Sequence, residues 1–168
     1  MDLQFQYVSE FVAGSVGGIL SAITMITVLA GAGLPASLII GLAVANGVAN
    51  GVAAGSTKYL SAQSDIYKGV KVTHTPTQSA IATFLFYLFG TSISLSIYIA
   101  DYIFGLNIKD RYIYSLIMIP ILLYLIGAHH AQLLGRPIVY HGLEVLMIGV
   151  FSATVSYMIG SMIRNRMK

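Results

Sequence analysis

The sequence predicts an all-α integral membrane protein, a single bundle of five transmembrane helices whose first two form a tight glycine-rich hairpin. Three observations predict it. The chain of 168 residues is 57% hydrophobic and only 9% charged, with mean hydropathy +0.81, far outside the composition of water-soluble domains. Five stretches hold the roughly 20 apolar residues needed to cross a hydrocarbon core of about 30 Å. The charges gather between those stretches and in the tail Arg164, Arg166 and Lys168.

The first span is expected near 11–34. The residues before it, MDLQFQYVSE, carry Asp2 and Glu10 but no Lys or Arg, and no small-residue cleavage pattern follows a short apolar core, so a signal peptide is not expected. The second span is expected near 35–61, joined to the first by a short uncharged turn around Gly31, Gly33 and Pro35. A polar loop with Asp65, Lys68, Lys71 and His74 follows, and Pro76 stands where a new helix could start. The remaining spans fall near 79–106, 112–134 and 143–163. Their connections are a turn from Asn107 to Arg111 and a second one holding Arg136 and Pro137. Nothing in the chain reads as a soluble domain or a metal-collecting insert.

Composition also excludes function classes. The chain has no cysteine, so thiolate metal sites, iron–sulfur clusters and disulfides are out of reach. The net charge of +3 is modest and lies in loops and tail, which suits lipid phosphates rather than nucleic acid. No nucleophile–base pair, phosphate loop or HExxH motif is present, so an enzyme is not expected. The charge rule does not orient the bundle. With the N-terminus inside, Lys58, Lys68, Lys71 and Arg136 face Lys109, Arg111, Arg164, Arg166 and Lys168 outside.

The most informative stretch is "GLAVANGVANGVAAGSTKYLSAQSD" (41–65). On a helix, Gly47, Gly51 and Gly55 share one face at four-residue spacing, a stripe that lets another helix approach backbone to backbone. Gly14 and Gly18 make a second such pair in helix one. Asn46 and Asn50 lie about 100° round from the glycines. In lipid an unpaired amide costs several kcal/mol, so both must face protein or water. Across the hairpin, Ser21, Thr24, Met25 and Thr27 offer oxygens and a thioether. The amides are therefore either interhelical hydrogen-bond glue or the polar lining of a path.

Two further stretches complete the pattern. "GGILSAITMITVLAGAGL" (17–34) followed by "ANGVANGVAAGSTKYLSAQSD" (45–65) resembles the first helix pair of the vacuolar iron transporter family, and "GRPIVYHGLEVLMIGVFSATVSYMIGSMI" (135–163) resembles its last helix. The resemblance implies five transmembrane helices, a homodimer, a cytoplasmic N-terminus and proton-driven export of ferrous iron or manganese from the cytosol, with no bound cofactor beyond the transported ion. The chain departs from the family pattern at acidic positions, where it has Gly17, Asn50 and Lys58, with Ala54 at a usual methionine. Ser94 and Ile97 replace helix-breaking prolines, and the acidic insert after helix two is trimmed. A hard dication wants anionic oxygens, so a scaffold subunit of a larger membrane complex, fold kept and metal chemistry lost, is the competing expectation.

Other side chains carry the same two possibilities. Glu144, just inside helix five with Met147 at i+3, pairs an oxygen with a thioether and is either a charge on the path and a metal ligand or an interfacial carboxylate held by the helix dipole and by Arg136 or His141. Glu10 and Asp101 suit the headgroup level, with Glu10 a candidate proton-linked acid at the mouth of helix one. His129 and His130 point about 100° apart and suit the interface better than one ion. His74 reads as a solvated loop side chain, Met158 and Met162 as core or lipid-facing, and most tyrosines as interfacial belts.

Overall fold

The computed structural model describes residues 7–106 and 111–166, which form five α-helices and, among the described residues, no strand. These are α1 (Val8–Gly31), α2 (Ala36–Tyr67), α3 (Pro76–Phe104), α4 (Arg111–Leu133) and α5 (Ile138–Arg166). Each is long and apolar enough to cross a membrane. The protein is thus a multi-pass integral membrane protein. Most of the turn expected at 107–111, with Lys109, and the tail residue Lys168 lie outside the described residues.

Local chemistry sets the helix ends. After α1 the chain reverses at Gly33, whose φ of +78° is left-handed, a conformation that costs a side chain energy but glycine nothing. There Leu34 N–H donates to Leu29 O at 3.1 Å, capping the helix. Pro35 then leads into α2 in extended conformation. The second helix runs six residues past the expected end at 61, because SAQSDIY (61–67) is polar but helix-compatible, and stops at Lys68 before Gly69. Its 32 residues span about 48 Å, so its last turns project beyond the hydrocarbon. α3 starts three residues before the expected 79. Thr75 and Gln78 form a capping box, with Gln78 N–H donating to Thr75 Oγ1 and Thr75 N–H to Gln78 Oε1. α5 starts at Ile138 instead of 143, since Tyr140 and His141 lower the hydropathy without breaking the helix.

The bundle is built around α1, which touches all four other helices. Its Ile19, Ile23 and Ile26 are fully buried with Leu95 and Tyr98 of α3 and Ile119 and Leu123 of α4. The tightest packing is not between the arms of the hairpin, as expected, but of both arms on α3. A Cβ at Gly18 would lie 2.1 Å from Tyr87 O, and one at Gly14 2.6 Å from Thr83 O. On α2, a Cβ at Gly55 would lie 2.9 Å from Ala80 O, and one at Gly47 2.6 Å from the Thr91 methyl. Both glycine stripes thus serve α3. The reason is reciprocal smallness, for Gly90 of α3 lets Ser15 O come within 2.3 Å of where its own Cβ would stand. Without a hydrophobic drive inside lipid, such backbone approach is what holds helices together. Gly31 and Gly160 bring α1 against α5 in the same way.

Candidate functional site

With the glycines turned toward α3, the asparagines of α2 turn toward α1. Asn46 Nδ2 donates to Ser21 Oγ at 2.6 Å, and Asn50 Nδ2 reaches the same oxygen at 3.2 Å and Asn46 Oδ1 at 3.0 Å. The cluster borders an open cavity of about 330 Å³ that also touches Gly17, Thr24, Met25 and Tyr87. Asn46 is half-buried and Asn50 exposed, in the middle of a span that composition places in the bilayer. Thr24 lines the cavity while its hydroxyl donates to Leu20 O at 2.7 Å. Thr27 does not join them, being buried and bonded to Ile23 O.

The same seam carries a second polar level. Lys58 of α2 donates to Ser9 Oγ at 2.7 Å and lies 3.5 Å from Glu10 Oε1. The Glu10 side chain is only 7% exposed, so this carboxylate is enclosed rather than set loose at the headgroups. The pair forms part of the wall of a polar cavity of about 450 Å³ reached by Asp65, Lys71, His74 and His130. Both members were visible in the sequence as charges near helix ends, but no local pattern announced their pairing.

Glu144 stands elsewhere. It accepts from His141 Nδ1 at 2.6 Å, and His141 Nε2 in turn lies 3.5 Å from the Arg136 guanidinium. The partners are those expected of an interfacial carboxylate, but α5 begins at Ile138, so Glu144 lies beyond the first turn where the helix dipole acts. It stands on the membrane face that also holds Glu10 and Lys58, since α1, α3 and α5 begin there and α2 and α4 end there. α5 packs on α1 and α4, and within one chain neither Glu144 nor Met147 lines the asparagine cavity. Met147 is 63% exposed. The two histidines diverge as their spacing requires, His129 edge-on to Phe11 and His130 stacked over His141. His74 stacks on Tyr7 at 3.9 Å instead of pointing into solvent. Asp101, at the opposite face, is paired with Arg111. Among the described residues no three His, Asp or Glu side chains converge as metal ligands.

The chemistry on offer is thus a ladder of neutral dipoles in mid-span and one ion pair at the end of the same seam. Such a surface stabilises a hydrated or partly hydrated polar solute better than a bare dication, which draws on anionic oxygens. In comparison with known proteins, a model of the VIT family matches residues 66–161. No curated protein and no solved structure matches the chain. The matched span takes in the last two residues of α2, all of α3 and α4 and most of α5, so the seam residues lie N-terminal to it and rest on the sequence pattern and the geometry.

Proposed function

The chain belongs to the VIT family, and from that premise we propose that it moves a divalent cation, ferrous iron or manganese, across the membrane along the α1–α2 seam. The VIT family is a transporter family, and membership suggests a vacuolar-iron-transporter-like function. The observation that carries the finer reading is the convergence of the Asn46 and Asn50 amides on Ser21 beside an open cavity inside an apolar span. Glue alone would be buried between the helices. Here Asn50 stays exposed even with both hydrogen bonds made, at a depth where water or a partner must cover it. Ser21, Thr24, Asn46 and Asn50 then present oxygens to a cation that keeps part of its water shell, while Glu144 adds negative charge on the same membrane face as Glu10, outside the seam.

The covering partner proposed for this face is a second copy of the chain. Beside Asn50, Ala45, Ala49 and Ala53 form an exposed stripe at four-residue spacing, the kind of surface on which helices associate closely in lipid. A homodimer through α2 places two asparagine ladders across one path. Uptake of ferrous iron and manganese into proteoliposomes, with and without a proton gradient, tests the reading. Saturable flux is expected, falling at least about tenfold in Asn50→Leu while the protein still assembles, as expected when a path loses its polar lining. Unchanged flux in that variant removes the path.

A second reading is favoured by the lack of three converging metal-binding side chains among the described residues. In it the chain is a scaffold subunit of a larger membrane complex. Purification from native membranes at low detergent separates the two, because stoichiometric partner proteins support the scaffold and a clean dimer supports the transporter.

A further inference from the structure

We propose that Lys58 is a tethered cation that closes the α1–α2 seam at one end. The position its ammonium holds, between Glu10 and Ser9, is a cation site that a mobile divalent ion takes when the ammonium swings out. The inference deepens the transport reading and rests on it for its meaning, although its binding test does not need flux.

Three observations carry it. First, the ammonium is already bound as a cation would be, by a hydroxyl at 2.7 Å and a carboxylate oxygen at 3.5 Å. Second, that carboxylate is enclosed, whereas Lys58 is 27% exposed and borders a polar cavity of about 450 Å³ into which its side chain has room to turn. Third, on α1 the Glu10 end of the pair lies in line with Ser21, the hydroxyl on which the asparagines converge. On α1, Glu10, Gly17 and Ser21 fall within about 20–40° of one another round the helix, and Glu10 lies about 16 Å along the axis from Ser21. On α2, Lys58 lies about 12 Å beyond Asn50 and about 80° round from it, and its long side chain reaches back to α1. Lys58 and Glu10 therefore stand nearer this membrane face than the amides do, beside the cavity that opens there.

Physical chemistry couples the release to a replacement. An enclosed carboxylate left as a bare anion is costly, so Glu10 releases the ammonium when a metal ion or a proton takes its place. Lysine suits the task, being a compact charge on a flexible four-carbon stem. Asp65, facing the same cavity, offers the displaced ammonium a second carboxylate. Lys58 thus sets a threshold that a passing cation must overcome, and makes entry selective for ions that bind a carboxylate strongly.

A purely structural clip between α1 and α2 predicts no change in metal binding, which makes binding the deciding measurement. Manganese bound to the purified full chain in detergent is read by electron paramagnetic resonance, for the wild type, Lys58→Gln, Lys58→Arg and the double variant Lys58→Gln with Glu10→Gln. The expected result is a manganese affinity at least about tenfold higher in Lys58→Gln, as follows from removing a like charge a few ångströms from the ion at reduced dielectric. Lys58→Arg stays at the wild-type level, and the double variant loses the gain. A folded Lys58→Gln with no gain, or a gain that survives Glu10→Gln, overturns the proposal. If Lys58→Gln does not fold, amine labelling of the wild type followed by mass spectrometry decides. Millimolar manganese should speed labelling of Lys58 severalfold, and an unchanged rate overturns the proposal. Failure of the transport reading shows separately, as absent flux in the wild type.

Discussion

The two faces of α2 use one spacing for opposite ends. On the face toward α3, positions 47, 51 and 55 are glycines, and what they contribute is absence, so that Thr91, Phe84 and the Ala80 carbonyl can press against the helix. On the neighbouring face, positions 46 and 50 are asparagines, and they reach across a gap to one hydroxyl of α1 while a cavity stays open beside them. The first face is apolar and decided by contact distance, with an apolar cavity of about 470 Å³ opening only beside Gly55. The second borders a cavity at its polar centre, and its amides are ordered by three hydrogen bonds rather than by packing. Substitutions on the two sides should therefore fail differently, the packed side by loss of assembly and the open side by loss of passage.

The largest effect is expected on the packed side, where α1 meets α3 as α2 does. In Gly18→Val the new Cβ falls 2.1 Å from Tyr87 O and 2.9 Å from Thr91 N, both backbone atoms that cannot rotate away. Overpacking a core by one or two methyl groups costs about 1–3 kcal/mol when side chains can adjust, and here they cannot. Loss of the monodisperse peak in size-exclusion chromatography is the expected outcome. A normally eluting Gly18→Val would show that the α1–α3 contact is looser than these distances require.

A middle effect sharpens the open side. Ser21→Ala removes the acceptor shared by Asn46 and Asn50 without adding bulk. Interhelical hydrogen bonds in membranes contribute around 1 kcal/mol each, so thermal stability in detergent should fall by about 1–2 kcal/mol while the peak stays monodisperse. Flux should drop severalfold, less than in Asn50→Leu, because the amides remain and only their order is lost. Equal loss of stability and flux in Ser21→Ala and Asn50→Leu would make the cluster glue and nothing more.

This contrast also marks how far the sequence could be read. Hydropathy suffices for five helices, since lipid demands about 20 apolar residues per crossing whatever the packing. Four-residue spacing suffices for the Asn46–Asn50–Ser21 cluster, because an amide in an apolar span has few places to go. The partner of the glycine stripe was not legible. A stripe of absent side chains announces that something comes close but not what, and the matching surface on α3 is made of ordinary residues, Ala80, Phe84 and Thr91. The Glu10–Lys58 pair was not legible either. Its members are 48 positions apart, and each alone looks like a charge at the headgroups. Helix ends were misplaced by three to six residues wherever polar residues continue a helix beyond the hydrocarbon, as in 61–67 and 138–142.

The smallest effect has the opposite sign and isolates what a glycine does when it packs nothing. Gly41 lies inside α2, one turn or more before the stripe, and a Cβ placed there meets nothing within 4 Å. Glycine in a helix interior is less favourable than alanine by roughly 0.5–1 kcal/mol, because the unfolded chain it must be drawn from is freer. Gly41→Ala should therefore leave assembly and flux unchanged and raise the melting temperature slightly, while Gly55→Ala, whose Cβ would meet Ala80 O at 2.9 Å, lowers it. The two substitutions are chemically identical and sit on one helix, so a difference in sign can come only from what faces them. If both lower stability, Gly41 too is covered in the membrane, and the second copy of the chain proposed to lie along α2 would have to reach that far toward its start.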